Sequence, residues 1–200
     1  MPKIKVQKND GIFINKINPM HIFHKRKGQM DSIHAYFYTE KILGFRHLLA
    51  DDYYKMIVID SLKYLVDHGW VDLYAYVIMP NHIHLLWRNC EVERKESPAG
   101  SFNKFTAHAF KKYMKQYAAD QLSFYCVGKS DRLYQFWEGD ALAIQLSTEM
   151  ILQQKLDYIH NNPIRDHWKL AQFPEDYRWS SAAFYKNGYD EFGILKAWWE

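Results

Sequence analysis

Two strand-like segments that meet at Pro80-Asn81 constrain the fold of this chain more than any other feature. The runs DLYAYVIMP and HIHLLWR are rich in β-branched, aliphatic and aromatic residues, and only this Pro-Asn pair separates their apolar stretches. Such a pattern predicts a hairpin or a closely connected pair of strands. Because side chains alternate along a strand, His82 and His84 are expected on one face and Ile83 on the other.

Three segments with helical periodicity surround this strand pair. In DDYYKMIVIDSLKYLVDHG, Asp51 or Asp52 is a candidate N-cap and Gly69 a candidate stop. SFNKFTAHAFKKYMKQYA has apolar residues at helical spacing. They predict a core face formed by Phe102, Phe105, Ala109 and Tyr113. STEMILQQKLDYIHNNP can begin at Ser147 or Thr148 and predicts the last long helix.

The order of these elements predicts the fold class. IHAYFYT precedes the first helix as a strand, and FWEGDALAIQL precedes the last helix as a strand or hairpin with a bend at Gly139. The resulting β-α-β-β-α-β-α order is typical of an α+β domain with a central antiparallel sheet, in the ferredoxin-like split βαβ arrangement.

Charge and length divide the chain into three parts. Residues 1–30 carry seven Lys or Arg and one Asp, whereas the whole chain has a net charge of only +3, so a basic N-terminal extension is predicted there. Residues 31–190 form the predicted domain and residues 191–200 a tail. No segment has the length of a membrane span or the pattern of a signal peptide, and two isolated cysteines fit a reducing cytoplasm.

The His-x-His pair favours a metal site. Two imidazoles two residues apart on a strand are about 7 Å apart along it and can converge on one divalent ion. Such a site needs a third protein ligand, and the last helix offers Asn162 one turn after Tyr158, on the same face. A phenol beside a metal-bound phosphate can act as a nucleophile. Gln154 and Lys155, one turn earlier, are candidates for orienting it.

Other polar residues allow two interpretations each. A basic stripe on the second helix is either a DNA-contacting surface or a solvated face, and the lysines proposed to contact DNA are Lys104, Lys111, Lys112 and Lys115. Asn162 precedes Pro163, so it is either a ligand or a helix terminator. His160 points away from Tyr158 and is interpreted as structural or as a partner of other site residues.

Three motifs in a fixed order carry a resemblance to a known family. YVIMPNHIHLLW, KLDYIHNNP and PEDYRWSSAAFY together resemble the REP-associated tyrosine transposases, from about residue 33 to residue 185. These belong to the HUH superfamily of single-tyrosine transposases, in which a histidine pair flanks one hydrophobic residue. His82 and His84 match that pair, and Tyr158 matches the nucleophile.

The resemblance implies an enzyme acting on single-stranded or hairpin DNA in transposition. Mg²⁺ or Mn²⁺ would be bound by His82, His84 and Asn162. Tyr158 would cleave single-stranded DNA to leave a 5′-phosphotyrosine link and a free 3′-OH, which a later strand transfer reverses. Family members act as monomers or homodimers, and no membrane partner is implied.

Other functions remain open from the sequence. A domesticated relative would recognise hairpin DNA without cutting it, and an RNA-binding module could share the same fold. A histidine-triad nucleotide hydrolase would need a third alternating histidine where this chain has Leu86, and a metallohydrolase barrel would usually need a longer chain.

Overall fold

The computed structural model describes residues 24–25, 30–91 and 95–199, the first two by their backbone alone. Most of the predicted basic extension therefore lies outside the described residues. The strands and α-helices follow in this order: β1 (His24–Lys25), β2 (Ala35–Lys41), α1 (Asp52–Asp67), β3 (Val71–Met79), β4 (His82–Asn89), α2 (Pro98–Tyr117), β5 (Cys126–Lys129), β6 (Arg132–Tyr134), β7 (Leu142–Gln145), α3 (Glu149–Asn161) and α4 (Ala182–Asn187).

Two interleaved β-α-β units build the main sheet. Its strand order is β1-β7-β2-β4-β3, and every neighbouring pair is antiparallel. The units β2-α1-β3 and β4-α2-β7 each enclose a strand of the other unit, which is the split βαβ arrangement. The predicted α+β, ferredoxin-like fold is confirmed.

Local sequence signals explain where the three long helices begin. The Asp51 carboxylate accepts a hydrogen bond from the Tyr53 backbone N–H, and Thr148 accepts one from Ile151 in the same way. At the start of α2, Ser97 accepts from Gly100, and Pro98 occupies the first turn. Asp51 and Thr148 are each one of the two cap candidates that the sequence offers for their helix.

The core face of α2 differs from the predicted one. The side chains that pack inward are Phe102, Thr106, Phe110 and Met114, whereas Phe105 is 51% exposed. Thr106 is tolerated inside because its hydroxyl donates to the Phe102 carbonyl and accepts from the Trp137 indole. Its polar group is therefore satisfied without water.

Strand alternation gives the sheet two different faces. On β2, Tyr38 and Glu40 point towards α2: the Tyr38 hydroxyl donates to Glu40, and the Asn103 amide of α2 donates to the same carboxylate oxygen. Thr39 lies between them and points to the opposite face, where it contacts His84 of β4. That face is covered by α3, which packs on β3 and β4.

The motif PEDYRWSSAAFY forms hydrogen bonds with β3, the strand at one edge of the sheet. The Ile78 N–H of β3 donates to the Trp179 carbonyl at 2.9 Å, and the Tyr177 hydroxyl donates to the Ile78 carbonyl at 2.8 Å. His160 of α3 is 3.0 Å from the Ser181 hydroxyl. These contacts cover the β3 edge and fix α3 relative to the sheet.

The ends of the predicted domain are also part of the packed structure. Within the segment predicted as a tail, Ile194 and Ala197 are buried, and the Lys196 N–H donates to the Leu73 carbonyl. At the other end, the Met30 carbonyl accepts from the Asn89 side chain. None of the helices that the structure describes is both long and apolar enough to cross a membrane.

Candidate active site

His82 and His84 point to the face of the sheet that α3 covers, with their ring centroids 4.7 Å apart. Each ring is oriented through its Nδ1 atom. The Nδ1–H of His82 donates to the Asn81 side-chain oxygen at 2.6 Å, and Nδ1 of His84 is 2.8 Å from the Thr39 hydroxyl. Because Nδ1 is used in both rings, the Nε2 atoms are the ones left for a ligand.

Nε2 of His84 is buried and has no hydrogen-bond partner within residues 30–91 and 95–199. The residue is only 5% exposed, so water does not readily compensate this atom. A buried polar atom without a partner costs free energy and calls for an explanation. A metal ion bound at Nε2 would supply the missing interaction.

Both histidines are held in the neutral form that binds metals. Burial lowers the pKa of His82 to about 4, with smaller contributions from His167 and Lys41. Burial also holds the pKa of His84 well below its usual range, assisted by the positive charge of neighbouring groups. At neutral pH each imidazole therefore carries a free lone pair.

Helix α3 brings Tyr158 against β4, which carries both histidines, and against its neighbour β2. Its ring meets the His84 ring edge-on at 5.2 Å between centroids, and the Phe37 ring of β2 at 5.8 Å. The side chain is half-buried, so a substrate can reach it. A tyrosine and the histidine pair, 74 residues apart in sequence, thus share one site.

Asn162 continues the helical geometry in spite of the proline that follows it. Its φ and ψ are −58° and −46°, and its N–H donates to the Ile159 carbonyl. It is 2% exposed, and its amide nitrogen is buried without a hydrogen-bond partner in the described part of the chain. Turning the amide by 180° exchanges nitrogen and oxygen, so this position can offer a carbonyl ligand. The helix ends here, but Asn162 remains one turn from Tyr158.

The donor set fits a divalent metal only if the amide is included. Residues 30–91 and 95–199 contain no group of three or more His, Cys, Asp or Glu side chains that could hold an ion. Two neutral imidazoles and one amide oxygen leave coordination positions for water or phosphate, which is the arrangement of catalytic rather than structural metal sites. Nε2 of His84 is a suitable ligand for such an ion as it stands, whereas Asn162 offers an oxygen ligand only with its amide turned.

Cationic and aromatic groups surround Tyr158 and His82, and of these only Lys155 is predicted from the sequence. The Arg165 guanidinium lies over the Tyr158 ring at 4.4 Å, and Lys155 Nζ is 5.9 Å from the same ring centroid. The Trp168 and His82 ring centroids are 6.0 Å apart. Lys155 was predicted near the nucleophile from helical spacing, and Gln154 is exposed on the same helix. Arg165 and Trp168 follow Pro163, where helical spacing no longer predicts position.

The four lysines proposed to contact DNA lie on α2, and the structure does not bring them to this site. Helix α2 packs on the other face of the sheet, as the Asn103–Glu40 hydrogen bond shows. Lys111 lies over the Tyr134 ring at 4.8 Å, and Lys104 is 3.8 Å from Glu96. Their companions Lys112 and Lys115 are exposed on the same helix. Contact with DNA through these residues remains a prediction.

This chain is similar to known proteins in structure and not in sequence. No protein-family model and no curated protein matches this chain. Among solved structures, a REP-associated tyrosine transposase bound to a REP hairpin is similar with a TM-score of 0.57 and 15% identity, over 84% of this chain and 88% of that one. A candidate transposase from Deinococcus radiodurans is similar over 64% of this chain and 88% of that one, at 15% identity and a TM-score of 0.42. The chain thus has the fold of a REP-associated tyrosine transposase.

Proposed function

We propose that this protein is a tyrosine transposase that cleaves and rejoins single-stranded DNA in a metal-dependent reaction, at hairpins of the REP type. The observation that carries the proposal is the contact of Tyr158 with His84, whose buried Nε2 has no partner among the described residues. A half-buried phenol beside two neutral, oriented imidazoles is the combination that phosphoryl transfer to a tyrosine requires.

The proposed reaction exchanges one phosphodiester for another. The Tyr158 oxygen attacks the scissile phosphorus, the bond from phosphorus to the 3′ oxygen breaks, and the phenol loses its proton while the 3′ oxygen gains one. The products are a 5′-phosphotyrosine and a free 3′-OH. A 3′-OH that later attacks this phosphotyrosine reverses the exchange and rejoins strands, so no nucleotide cofactor is consumed.

The residues around the nucleophile have distinct proposed roles. His82, His84 and Asn162 would hold Mg²⁺ or Mn²⁺, which when bound polarises the scissile phosphate and stabilises its developing negative charge. Thr39 and Asn81 fix the ring orientations of the two histidines. Lys155 and Gln154 are proposed to orient Tyr158 or the DNA strand beside it.

Hairpin DNA is the proposed partner, bound by a monomer or a homodimer. The structurally similar transposase is bound to a REP hairpin, and it shares its fold with 84% of this chain. The basic stripe on α2 and the basic N-terminal extension are both candidates for contacts with phosphates. A site on one face of the sheet and lysines on the other would allow one DNA molecule to be cut and held by different surfaces.

The experiment is a covalent trapping assay. The protein is incubated with Mn²⁺ and single-stranded oligonucleotides from the flanks of its own gene, then separated under denaturing conditions. We expect a protein–DNA adduct that disappears in Tyr158→Phe and persists in Tyr53→Phe, a control on the exposed surface of α1. Binding of hairpin oligonucleotides without an adduct in Mg²⁺ or Mn²⁺ would instead favour a domesticated DNA-binding protein.

A further inference from the structure

Two cationic side chains lie beside Tyr158 without an anionic partner among the residues that the structure describes. Arg165 Cζ is 4.4 Å from the Tyr158 ring centroid, while Lys155 Nζ is 5.9 Å from that centroid and 4.8 Å from the Phe37 ring. Lys155 is half-buried. The Tyr158 ring also meets the His84 ring, at 5.2 Å between centroids, so both cations lie next to the candidate metal site.

The lack of a partner distinguishes Arg165 from most other arginines in the described part of the chain. Three of them form ion pairs with a carboxylate: Arg88, Arg132 and Arg178. Among the described residues neither Arg165 nor Lys155 does so, although Asp157 and Asp166 are close in sequence. Two unpaired cations around one aromatic ring leave a local excess of positive charge that an anion can neutralise.

We propose that Arg165 and Lys155 form a phosphate-binding site for the phosphodiester that Tyr158 attacks. The inference rests on the proposed function. In it, Arg165 and Lys155 bind the non-bridging oxygens of the scissile phosphate. A guanidinium can donate two parallel hydrogen bonds to a phosphate, whereas Lys155 acts as a single charged donor. Arg165 can turn from the ring to the phosphate because a contact with a ring face is weaker than a charge-assisted hydrogen bond.

Backbone hydrogen bonds hold the turn that carries Arg165. The Trp168 N–H donates to the Arg165 carbonyl at 2.8 Å, and the Leu170 N–H donates to the Pro163 carbonyl at 2.9 Å. The turn after α3 is therefore closed by its own hydrogen bonds and does not depend on the guanidinium. Removal of the charge should consequently leave the turn in place.

A purely structural role is the competing explanation, and it predicts different measurements. If Arg165 only packs on Tyr158, Arg165→Gln lowers the melting temperature and leaves the salt dependence of DNA binding unchanged. If it binds phosphate, the variant keeps its melting temperature and loses one phosphate contact. One contact on single-stranded DNA changes the slope of log K against log salt by about 0.7, or about fivefold in affinity at 0.1 M salt.

The test uses oligo(dT) of 20 nucleotides and proteins that also carry Tyr158→Phe, so that binding is measured without cleavage. We expect Arg165→Gln to weaken binding about fivefold at 0.1 M salt and to reduce the slope by about 0.7, and Arg165→Lys to restore the slope. The matched control is Arg132→Gln, an exposed arginine paired with Asp131 on the β5-β6 hairpin.

Unchanged affinity and slope in Arg165→Gln would overturn the proposal, as would an equal loss in Arg132→Gln. The rate of adduct formation on gene-flank oligonucleotides provides the second measurement, in proteins that retain Tyr158. It should fall in Arg165→Gln and stay unchanged in Arg132→Gln. If the unmodified protein forms no adduct at all, the proposed function fails, while the oligo(dT) measurement still decides whether this phosphate site exists.

Discussion

Replacement of Thr39 by valine tests whether the orientation of His84 serves metal binding. The Thr39 hydroxyl is 2.8 Å from Nδ1 of His84, and none of the described residues bonds to Nε2 of the same ring. Valine keeps the volume and branching of threonine but removes the hydroxyl. Both ring nitrogens of a residue that is 5% exposed would then lack a partner.

The expected magnitude follows from this geometry. An additional buried polar atom without a partner costs about 1–3 kcal/mol of folding free energy. Loss of the group that orients a metal-bound imidazole typically weakens metal affinity about 10- to 100-fold. We therefore expect Thr39→Val to bind Mn²⁺ with a dissociation constant raised by about that factor, together with a lower free energy of unfolding.

The assay is calorimetric titration of Mn²⁺ into the protein, with urea unfolding as the stability measurement. Thr39→Ser is the control, because it retains the hydroxyl and should bind Mn²⁺ nearly as the unmodified protein does. Equal Mn²⁺ affinity in the valine and serine variants would refute the proposed orienting role. Equal weakening in both would assign the effect to packing of the lost methyl group.

Three further predictions concern other parts of the site and its surroundings. Asn162→Ala should lower Mn²⁺ affinity at least tenfold in the same titration while the circular dichroism of α3 is kept, and unchanged affinity would remove Asn162 from the ligand set. Burial lowers the pKa of His160 to about 4, so the unfolded chain takes up this proton first as the pH falls. The contribution of His160 to the free energy of unfolding should therefore be fully present above about pH 6.5 and fall by at most about 3 kcal/mol towards pH 4. Urea unfolding at several pH values should show a weaker pH dependence in His160→Gln. Lys111→Ala combined with Lys115→Ala should reduce the salt dependence of hairpin binding; an unchanged slope would make this stripe a solvated face.

The sequence predicts those parts of the fold that depend on local signals and on alternation. Residue type narrows each of two caps to a pair of candidates, of which Asp51 and Thr148 are the caps, and the period of two along HIHLLWR places His82 and His84 on one face. The helical spacing of Tyr158 and Asn162 survives because Asn162 keeps helical dihedral angles. These relations involve residues no more than four apart.

Predictions fail or stop where distant residues decide the outcome. The core face of α2 was misplaced because Thr106 looks polar in sequence, yet its hydroxyl is satisfied by Phe102 and Trp137. Thr39 is 45 residues from His84, so only the register of β2 against β4 reveals the contact. The position of Arg165 depends on a turn after Pro163, for which sequence periodicity gives no guide.

The side of the sheet on which a helix packs is also decided by topology. The lysines of α2 are regularly spaced, and that spacing predicts a stripe but not its location relative to the histidines. Because α2 belongs to the β4-α2-β7 unit, it lies on the face opposite to α3. The sequence therefore indicates a basic surface correctly and leaves its distance from Tyr158 open.

The most direct test of the central claim is to locate the DNA on the protein chain. After incubation with Mn²⁺ and gene-flank oligonucleotides, nuclease and trypsin digestion should release the peptide LDYIHNNPIR, residues 156–165, in which Tyr158 is the only tyrosine. We predict a mass increase on Tyr158 that corresponds to a 5′-linked nucleotide, in tandem mass spectrometry of this peptide. A nucleotide on a different residue, or an unmodified peptide from protein isolated as a covalent adduct, would contradict the account.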